Sequence, residues 1–576
     1  EIADATALLG GHAHIESSFD DFARQPLLPN RFSQLGPGVS WIDVDGDGRE
    51  DLVVGAGRGG ALTVLRNTPR GFLSARATGA AAGDLGTVLP AWRGGGGLTL
   101  VASQANYEAA TKDDALALPG VLGYAITAGR PGPSRVVAGP DSASTGAMAL
   151  GDVNGDGIPD LFVGARVRPG AWPLPAHSRL LLGSAAGTFT PDPANSRAVA
   201  DLGLVSGATF ADLNGDGRAD LVVTSEWGPV RVLLNRSGRL EDATQSLGLA
   251  GITSRWNGVT AGDLDGDGRL DLVATSWGLN VPWRASASRP LTLLVGDFGK
   301  GVGMMLAQND SATGREMPME SFSRLGVAIP SVRERIASYA DYSRSDAAAV
   351  LGPLAKGVVR VGATTLEHTL FLNRGTKFEA RALPAEAQQA TAMGVVVADF
   401  DGDGREDLFL GQNFFPTEIG TMRFDAGAGL VLRGDGTGGF AALGVRESGV
   451  SVLGDQRGAA VADFDGDGRV DLAVAQNGSL TRLFRNTTGA VGVRVRLDGG
   501  ANNPLGIGAQ LRIMAKGAAG PVREVRAGSG YWSMDGAVTV LARPAGAEAV
   551  RVRWPGGTEQ TVPLVDGQLE LRIRKP

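Results

Sequence analysis

The stretch Asp43-Val44-Asp45-Gly46-Asp47-Gly48-Arg49-Glu50-Asp51-Leu52 lies between two apolar runs, and the chain repeats its plan five more times, from Asp152, Asp212, Asp263, Asp399 and Asp463. Each copy puts oxygen-bearing side chains at loop positions 1, 3, 5 and 9 and glycine at position 6. Carboxylates this closely spaced repel one another, and a hard divalent cation cancels the repulsion. Ca2+ accepts about six to eight oxygen ligands in a flexible shell and is the expected occupant of about six sites. Glycine at position 6 permits the sharp bend.

The expected side-chain ligands are Asp43, Asp45, Asp47 and Asp51; Asp152, Asn154, Asp156 and Asp160; Asp212, Asn214, Asp216 and Asp220; Asp263, Asp265, Asp267 and Asp271; Asp399, Asp401, Asp403 and Asp407; and Asp463, Asp465, Asp467 and Asp471. The carbonyls of Arg49, Ile158, Arg218, Arg269, Arg405 and Arg469 supply position 7. Asn at position 3 in two loops lowers their negative charge and predicts slightly weaker sites there. An EF-hand begins in the same way but closes with Glu at position 12, whereas here Asp at position 9 runs directly into a strand, so these are not helix–loop–helix hands. Asp-Gly pairs alone are good turn formers. Six copies with four fixed oxygen donors exceed what turns require.

The chain has 576 residues, 43% of them hydrophobic, with mean hydropathy +0.01, enough to bury a large core. No apolar run reaches membrane-spanning length, so no transmembrane segment is expected. The 87 glycines fit many tight turns between short strands. Net charge is −7, but the six loops carry 22 aspartates, so the remainder is positive by 15; six bound Ca2+ would bring the whole to +5. No focused basic patch points to nucleic acid. There is no cysteine, which removes disulfides, thiol catalysis and thiolate metal sites together. Weak Ca2+ sites fill where the ion is near millimolar, which predicts an exported protein: periplasmic, cell-surface or extracellular. The chain begins at Glu1 without a signal peptide, as a processed or truncated product does.

Successive loops start 109, 60, 51, 136 and 64 residues apart, so the two long gaps are where a loop has decayed. At Trp92-Arg-Gly-Gly-Gly-Gly97-Leu-Thr-Leu the flanking strands persist without carboxylates. Leu294-Val-Gly-Asp297-Phe-Gly-Lys-Gly301-Val is a candidate eighth unit. Beyond it, Ser331-Val-Arg-Glu334 reads as a capping box opening a helix with Val332, Ile336 and Tyr339 along one side, inside a helical insertion over about residues 305–360. A typical unit supplies four short strands, a propeller blade. Glu1-Ile-Ala-Asp-Ala-Thr reads as the fourth strand that the last unit lacks after Asn486, so the N-terminus is expected to close the ring. The expected fold is all-β: a seven- or eight-bladed β-propeller over 1–488, then a small β-sandwich over 489–576, where apolar and polar residues alternate.

The loops and their flanks resemble the FG-GAP or VCBS repeats of integrin-α-like propellers. In the tail, Asn503-Pro-Leu-Gly-Ile-Gly508, Arg523-Glu-Val, Gly528-Ser-Gly-Tyr531-Trp-Ser533 and Arg553-Trp-Pro-Gly-Gly557 resemble the ASPIC/UnbV domain that follows such propellers in the cartilage acidic protein family and its bacterial relatives. The resemblance implies an exported, calcium-stabilised propeller that serves binding or adhesion, with a protein or glycan ligand at the cell surface that it does not identify. The alternatives from other classes are a hydrolase or lyase acting on polysaccharide or phosphoester, and a subunit of a cell-surface or periplasmic assembly.

Outside the loops the chemistry is sparse. His12-Ala-His14-Ile-Glu16 would, if extended, turn three polar side chains one way, a pattern that could hold Zn2+ or that is simply a surface strand near ring closure. Arg433-Gly434-Asp435 spells an integrin-read tripeptide where a hairpin turn is expected, and it is read as the turn. No phosphate loop, nucleophile elbow or Cys/His pair is present, so no catalytic residue is assigned. A cluster of non-loop acids with His368 around one cleft would favour the hydrolase.

Overall fold

A computed structural model describes residues 2–93, 96–299 and 301–576. Seven four-stranded antiparallel meanders form the blades. Their innermost strands are Val39–Ile42, Leu85–Arg93, Ser144–Gly151, Leu204–Ala211, Val259–Gly262, Ala392–Ala398 and Gln456–Ala462. Each packs against the next, and the last packs against the first, so the ring closes at seven. These strands are Gly-, Ala- and Val-rich and almost wholly buried, because both faces of an inner strand meet neighbours.

The N-terminus closes the ring as expected. Ile2–Asp4 pairs antiparallel with Arg482–Asn486, Ile2 opposite Asn486 and Asp4 opposite Phe484, and so becomes the outer strand of the seventh blade. A blade assembled from the first and last strands of the propeller protects an edge that would otherwise be open. The decayed unit is also a blade: Leu85–Arg93 pairs with Gly97–Gln104. Glu1, Gly94, Gly95 and Lys300 lie outside the described residues.

The candidate eighth unit is not a blade. Leu291–Asp297 pairs with Val302–Asn309 and with Val359–Ala363 in a separate sheet completed by Glu316–Pro318, and this sheet is inserted between the second and third strands of the fifth blade, Asp271–Ala274 and Thr369–Asn373. The insertion is thus wider than 305–360 and half of it is sheet; its helices are short, Phe322–Ala328, Ser331–Arg335, Tyr339–Arg344 and Ala347–Leu351. The expected capping box at Ser331 does not form, because Ser331 is already inside a helix whose N-cap is Pro330. The caps are Ser321, Ser338 and Asp346, which accept from the backbone N–H of Arg324, Asp341 and Ala349. The chain leaves the helix at Ile336, so Val332 and Ile336 are buried while Tyr339, on the next helix, is exposed.

Beyond the ring, Val493–Asp498 pairs with Thr539–Leu541 and Glu570–Arg574, and a second sheet joins Gln510–Ala515 to Ala547–Arg553 and Glu559–Pro563. Val493, Val495, Leu511, Val550, Val552, Trp554 and Ile573 fill the space between the two sheets.

One hairpin of this sandwich, Arg526–Gly536, runs into the propeller axis and touches all seven inner strands. Trp41 N–H donates to the Met534 carbonyl and Met534 N–H to that of Val39 (3.0 and 3.1 Å); Leu150 N–H donates to the Ala527 carbonyl (2.8 Å); Gly530 and Val259 exchange N–H···O bonds of 2.8 and 3.0 Å. Gly536 N–H donates to the Val461 carbonyl (2.7 Å), and Trp532 Nε1 to the Ser206 carbonyl (2.9 Å). The Trp532 ring lies over Gly86 and Gly146, where a Cβ would come within 2.7 and 2.5 Å of it, and Gly530 lies against the Val395 carbonyl. At the other mouth, residues 17–37 cross the ring, and the Tyr531 hydroxyl donates to the Leu35 carbonyl at 3.0 Å. The two end segments of the chain meet inside the channel.

Replacing Trp532 with Ala should therefore destabilise the propeller itself, by about 3–5 kcal/mol. Urea unfolding followed by a propeller tryptophan band checks this; an unchanged midpoint would show that the hairpin is only an appendage.

Candidate metal centres

In every loop the side chains are positioned by the backbone of the same turn. In the first, Asp43 Oδ1 accepts from Gly46 N–H and Oδ2 from Gly48 N–H (2.8 and 2.9 Å), and Asp47 Oδ1 accepts from Arg49 N–H (2.8 Å). Asp51 opens the second strand, fully buried; its Oδ2 accepts from Val44 N–H (2.9 Å) and its Oδ1 from Asn67 N–H at the end of the third strand (2.7 Å). The same two-handed tie recurs at Asp160, Asp220, Asp271, Asp407 and Asp471, with Gly183, Asn235, Asn373, Gly434 and Asn486 as third-strand donors.

The turns bring positions 1, 3 and 9 together. In four loops (Asp43, Asp45, Asp51; Asp263, Asp265, Asp271; Asp399, Asp401, Asp407; Asp463, Asp465, Asp471) the three carboxylates each offer an oxygen within 4.8 Å of the others. In the loops from Asp152 and Asp212 position 3 is the amide of Asn154 or Asn214, whose oxygen accepts from the N–H two residues on. The position-5 carboxylates are not in these clusters. Asp216, Asp267, Asp403 and Asp467 pair instead with the arginine side chain at position 7, Arg218, Arg269, Arg405 and Arg469.

The electrostatics match a cation cage. Burial, reinforced by neighbouring loop aspartates, pushes Asp51, Asp160, Asp220, Asp271 and Asp407 up to about 7, and Asp471 to about 9. The Oδ1 atoms of Asp263 and Asp265 are buried without a hydrogen-bond partner. Orphaned carboxylate oxygens in an all-oxygen donor set are what a hard divalent ion satisfies. The residues present therefore fit Ca2+.

A set of residues that spacing arguments missed ties one blade to the next. Asn67 Nδ2 donates to the Phe464 carbonyl, Asn235 to Val153, Asn373 to Leu213 and Asn486 to Phe400, each acceptor being position 2 of the preceding blade's loop (2.6–2.9 Å). Their signal was present as an Asn recurring at the end of the third strand in four blades; Gly183 and Gly434 take its place in two others.

The sandwich rests on the same loops. Arg494 Nε lies 2.7 Å from Asp463 Oδ2, Arg553 Nη2 3.1 Å from Asp212 Oδ2, and Arg523 pairs with Glu406 (2.6 Å) beside Asp399 (3.7 Å). Val522 N–H donates to Asp263 Oδ2 (2.9 Å), and Arg496 to the Gly48 carbonyl. The Asp152 loop faces a cavity of about 260 Å3 instead, lined by Phe210, Ile507, Glu524, Arg526 and Lys575.

The other candidate residues are structural or regrouped. His12 Nδ1 pairs with the Thr481 hydroxyl, and His14 Nδ1 accepts from Gly478 N–H; burial lowers them to about 4 and about 3, so both rings are neutral. Glu16 leaves them and joins Asp84 and Glu108, carboxylate oxygens within 4.8 Å of one another. His368 lines no cleft: it is fully buried, accepting from Ser276 N–H at Nδ1, with Nε2 on the Ala390 carbonyl. Asp435 of the Arg-Gly-Asp stretch caps its own hairpin turn, accepting from Thr437 and Gly439 N–H.

Family models match at three places: an FG-GAP-like repeat over residues 152–223 and 212–274, an FG-GAP repeat over 35–71, and ASPIC and UnbV over 499–576. This is an FG-GAP-repeat propeller with a C-terminal ASPIC/UnbV domain. No curated protein matches the chain. Among solved structures it is similar to Sqt1 of Saccharomyces cerevisiae (10% identity, 83% of this chain and 100% of that one, TM-score 0.37) and to the V. cholerae biofilm matrix protein Bap1 (12%, 92% and 99%, TM-score 0.36). It is also similar to the rhamnogalacturonan lyase YesW (13%, 78% and 82%, TM-score 0.26). Likenesses this loose identify no function. The ASPIC/UnbV domain supplies the axial hairpin, and the FG-GAP loops supply its seat.

Asn486→Ala removes the bond between the sixth and seventh blades and leaves the Phe400 carbonyl without that donor. A loss of about 1–3 kcal/mol is expected in calcium-replete buffer, read from the urea midpoint.

Proposed function

We propose that this chain is an exported, calcium-stabilised interaction module whose metal ions are structural and whose partner is a protein or glycan at the cell surface. Each ion would be held by the carboxylates or amide at positions 1, 3, 5 and 9 and the carbonyl at position 7 of its loop, cancelling repulsion that folding otherwise has to overcome. The observation that carries the reading is where the loops lie. Five of the six abut the ASPIC/UnbV domain, so ions there would join parts of one molecule, and the axial hairpin and residues 17–37 already occupy the channel. The surfaces left for a partner are the outer strands and the insertion in the fifth blade. No helix among the described residues is long and apolar enough to cross a membrane.

The hydrolase or lyase reading retains one observation, the grouping of Glu16, Asp84 and Glu108 outside the repeat loops. It has lost His368, which lies in the core.

Calcium removal is the direct test. At a hundredfold excess over its dissociation constant, one site contributes about 2.7 kcal/mol, and six together rival the roughly 5–15 kcal/mol of an ordinary domain. EDTA should lower the melting temperature sharply and expose the 487–493 connection to protease, with both effects reversed by added Ca2+. Unchanged melting and protease resistance would refute the structural role. Retention of a native-envelope component on the immobilised protein should depend on Ca2+; retention indifferent to EDTA would separate partner binding from the loops.

A further inference from the structure

Beneath residues 17–37, three buried ionisable side chains fail to balance. Arg166 in Asp160–Val167, Glu226 in Asp220–Pro229 and Arg255 in Thr253–Arg255 are 4%, 4% and 0% exposed. Arg166 Nη1 lies 2.9 Å from Glu226 Oε2, Arg255 Nη2 2.9 Å from Oε1, and Trp172 Nε1 3.1 Å from Oε2. Burial pushes Glu226 up, but the two arginines outweigh it and hold the carboxyl at about 2, so it is ionised. Two guanidinium groups then face one carboxylate. The neighbouring Arg457 is closed by its own partner, Asp455, at 2.6 and 2.8 Å. No other acid is ion-paired to Arg166 or Arg255 among the described residues.

The same place has donors to spare. Nε and Nη1 of Arg255, Nε of Arg166 and the indole N–H groups of Trp227 and Trp277 are buried without hydrogen-bond partners. Arg255 is ringed by indoles, its Cζ 4.2 Å from the centre of Trp277, 5.1 Å from Trp283 and 5.5 Å from Trp227. Those ring faces offset part of the charge, but they do not accept the in-plane N–H bonds. Besides Glu226, the acceptor on Arg255 is Asn30 Oδ1 at 2.7 Å, a neutral amide from the segment that covers the site. Burying an unpaired charge and several unpaired donors together is costly, and both deficits have one remedy.

We propose that Arg255 and Arg166, with the indole N–H groups around them, bind one monovalent anion of the chloride class beneath the N-terminal segment. A single negative charge closes the balance, whereas a dianion would overshoot it and meet the Glu226 carboxylate. The cover of residues 17–37 favours a small ion. The site shares no residue with the metal loops, so its fate is separate from theirs.

The test uses the full chain with Ca2+ present. A crystal soaked in sodium bromide should show an anomalous peak in contact with the Arg255 or Arg166 guanidinium. Peaks confined to the outer surface, an adventitious ion only, or a water at that position would overturn the proposal. In solution, gluconate is exchanged stepwise for bromide at constant ionic strength while tryptophan fluorescence is read. A saturable quenching component is expected from the three indoles; strictly linear quenching would refute it. Arg255→Met should weaken that component by roughly tenfold or more. Should that variant not fold, Asn30→Asp decides, because it places a carboxylate beside Arg255. It should abolish the saturable component and raise the melting temperature in gluconate. If it binds bromide as tightly as the parent does, no anion was balancing Arg255.

Discussion

A carboxylate at the first position of a buried strand must be satisfied or it unfolds the strand, and six of the seven blades contain one. Asp51, Asp160, Asp220, Asp271, Asp407 and Asp471 sit where the loop enters the second strand, closed to water. Each uses one oxygen for its own loop and the other for the third strand, so a single side chain sets the loop's shape and the blade's register together. In four loops the carboxylates of positions 1 and 3 gather on the same spot, which is why the turn could hold a cation and is a structural joint at once.

That joint is shared outward in two directions. Four asparagines beside it reach the preceding blade's loop, and five of the six loops meet arginines or a backbone N–H of the C-terminal sandwich. The sandwich in turn sends Arg526–Gly536 up the axis, where each inner strand meets some part of it. A ring of blades has no residue at its centre of its own making. Here the centre is filled from one side by the C-terminal domain and covered on the other by residues 17–37, so the ends of the chain complete the array that its middle begins.

The electrostatic character of the two mouths differs as a result. On the loop side, acids gather and arginines answer them. Under residues 17–37, Arg166 and Arg255 outnumber Glu226 and are wrapped in indoles. The two mouths thus differ in sign and in exposure: the loop acids are partly open to solvent, whereas Arg166, Glu226 and Arg255 are buried.

The sequence by itself determined the repeat, the four-stranded unit, the N-terminal strand that completes the last blade and the sandwich that follows. These follow from local chemistry: the spacing of oxygen donors in a turn, glycine at a sharp bend and alternation along a strand are all written within a few residues. The same spacing led to the expectation that positions 1, 3, 5 and 9 gather; in four loops positions 1, 3 and 9 do, while in several position 5 turns to the arginine at position 7. Only the tertiary structure decided that Asp297 belongs to an inserted sheet and not to an eighth blade, since its hairpin has blade-like strands and only its pairing with Val359–Ala363 removes it from the ring. It alone sent Gly528-Ser-Gly-Tyr531-Trp into the channel, set Glu16 beside Asp84 and Glu108, and buried Arg255 against Glu226 and Asn30. Those contacts join segments tens to hundreds of residues apart, and no local pattern specifies which distant surface a side chain will meet.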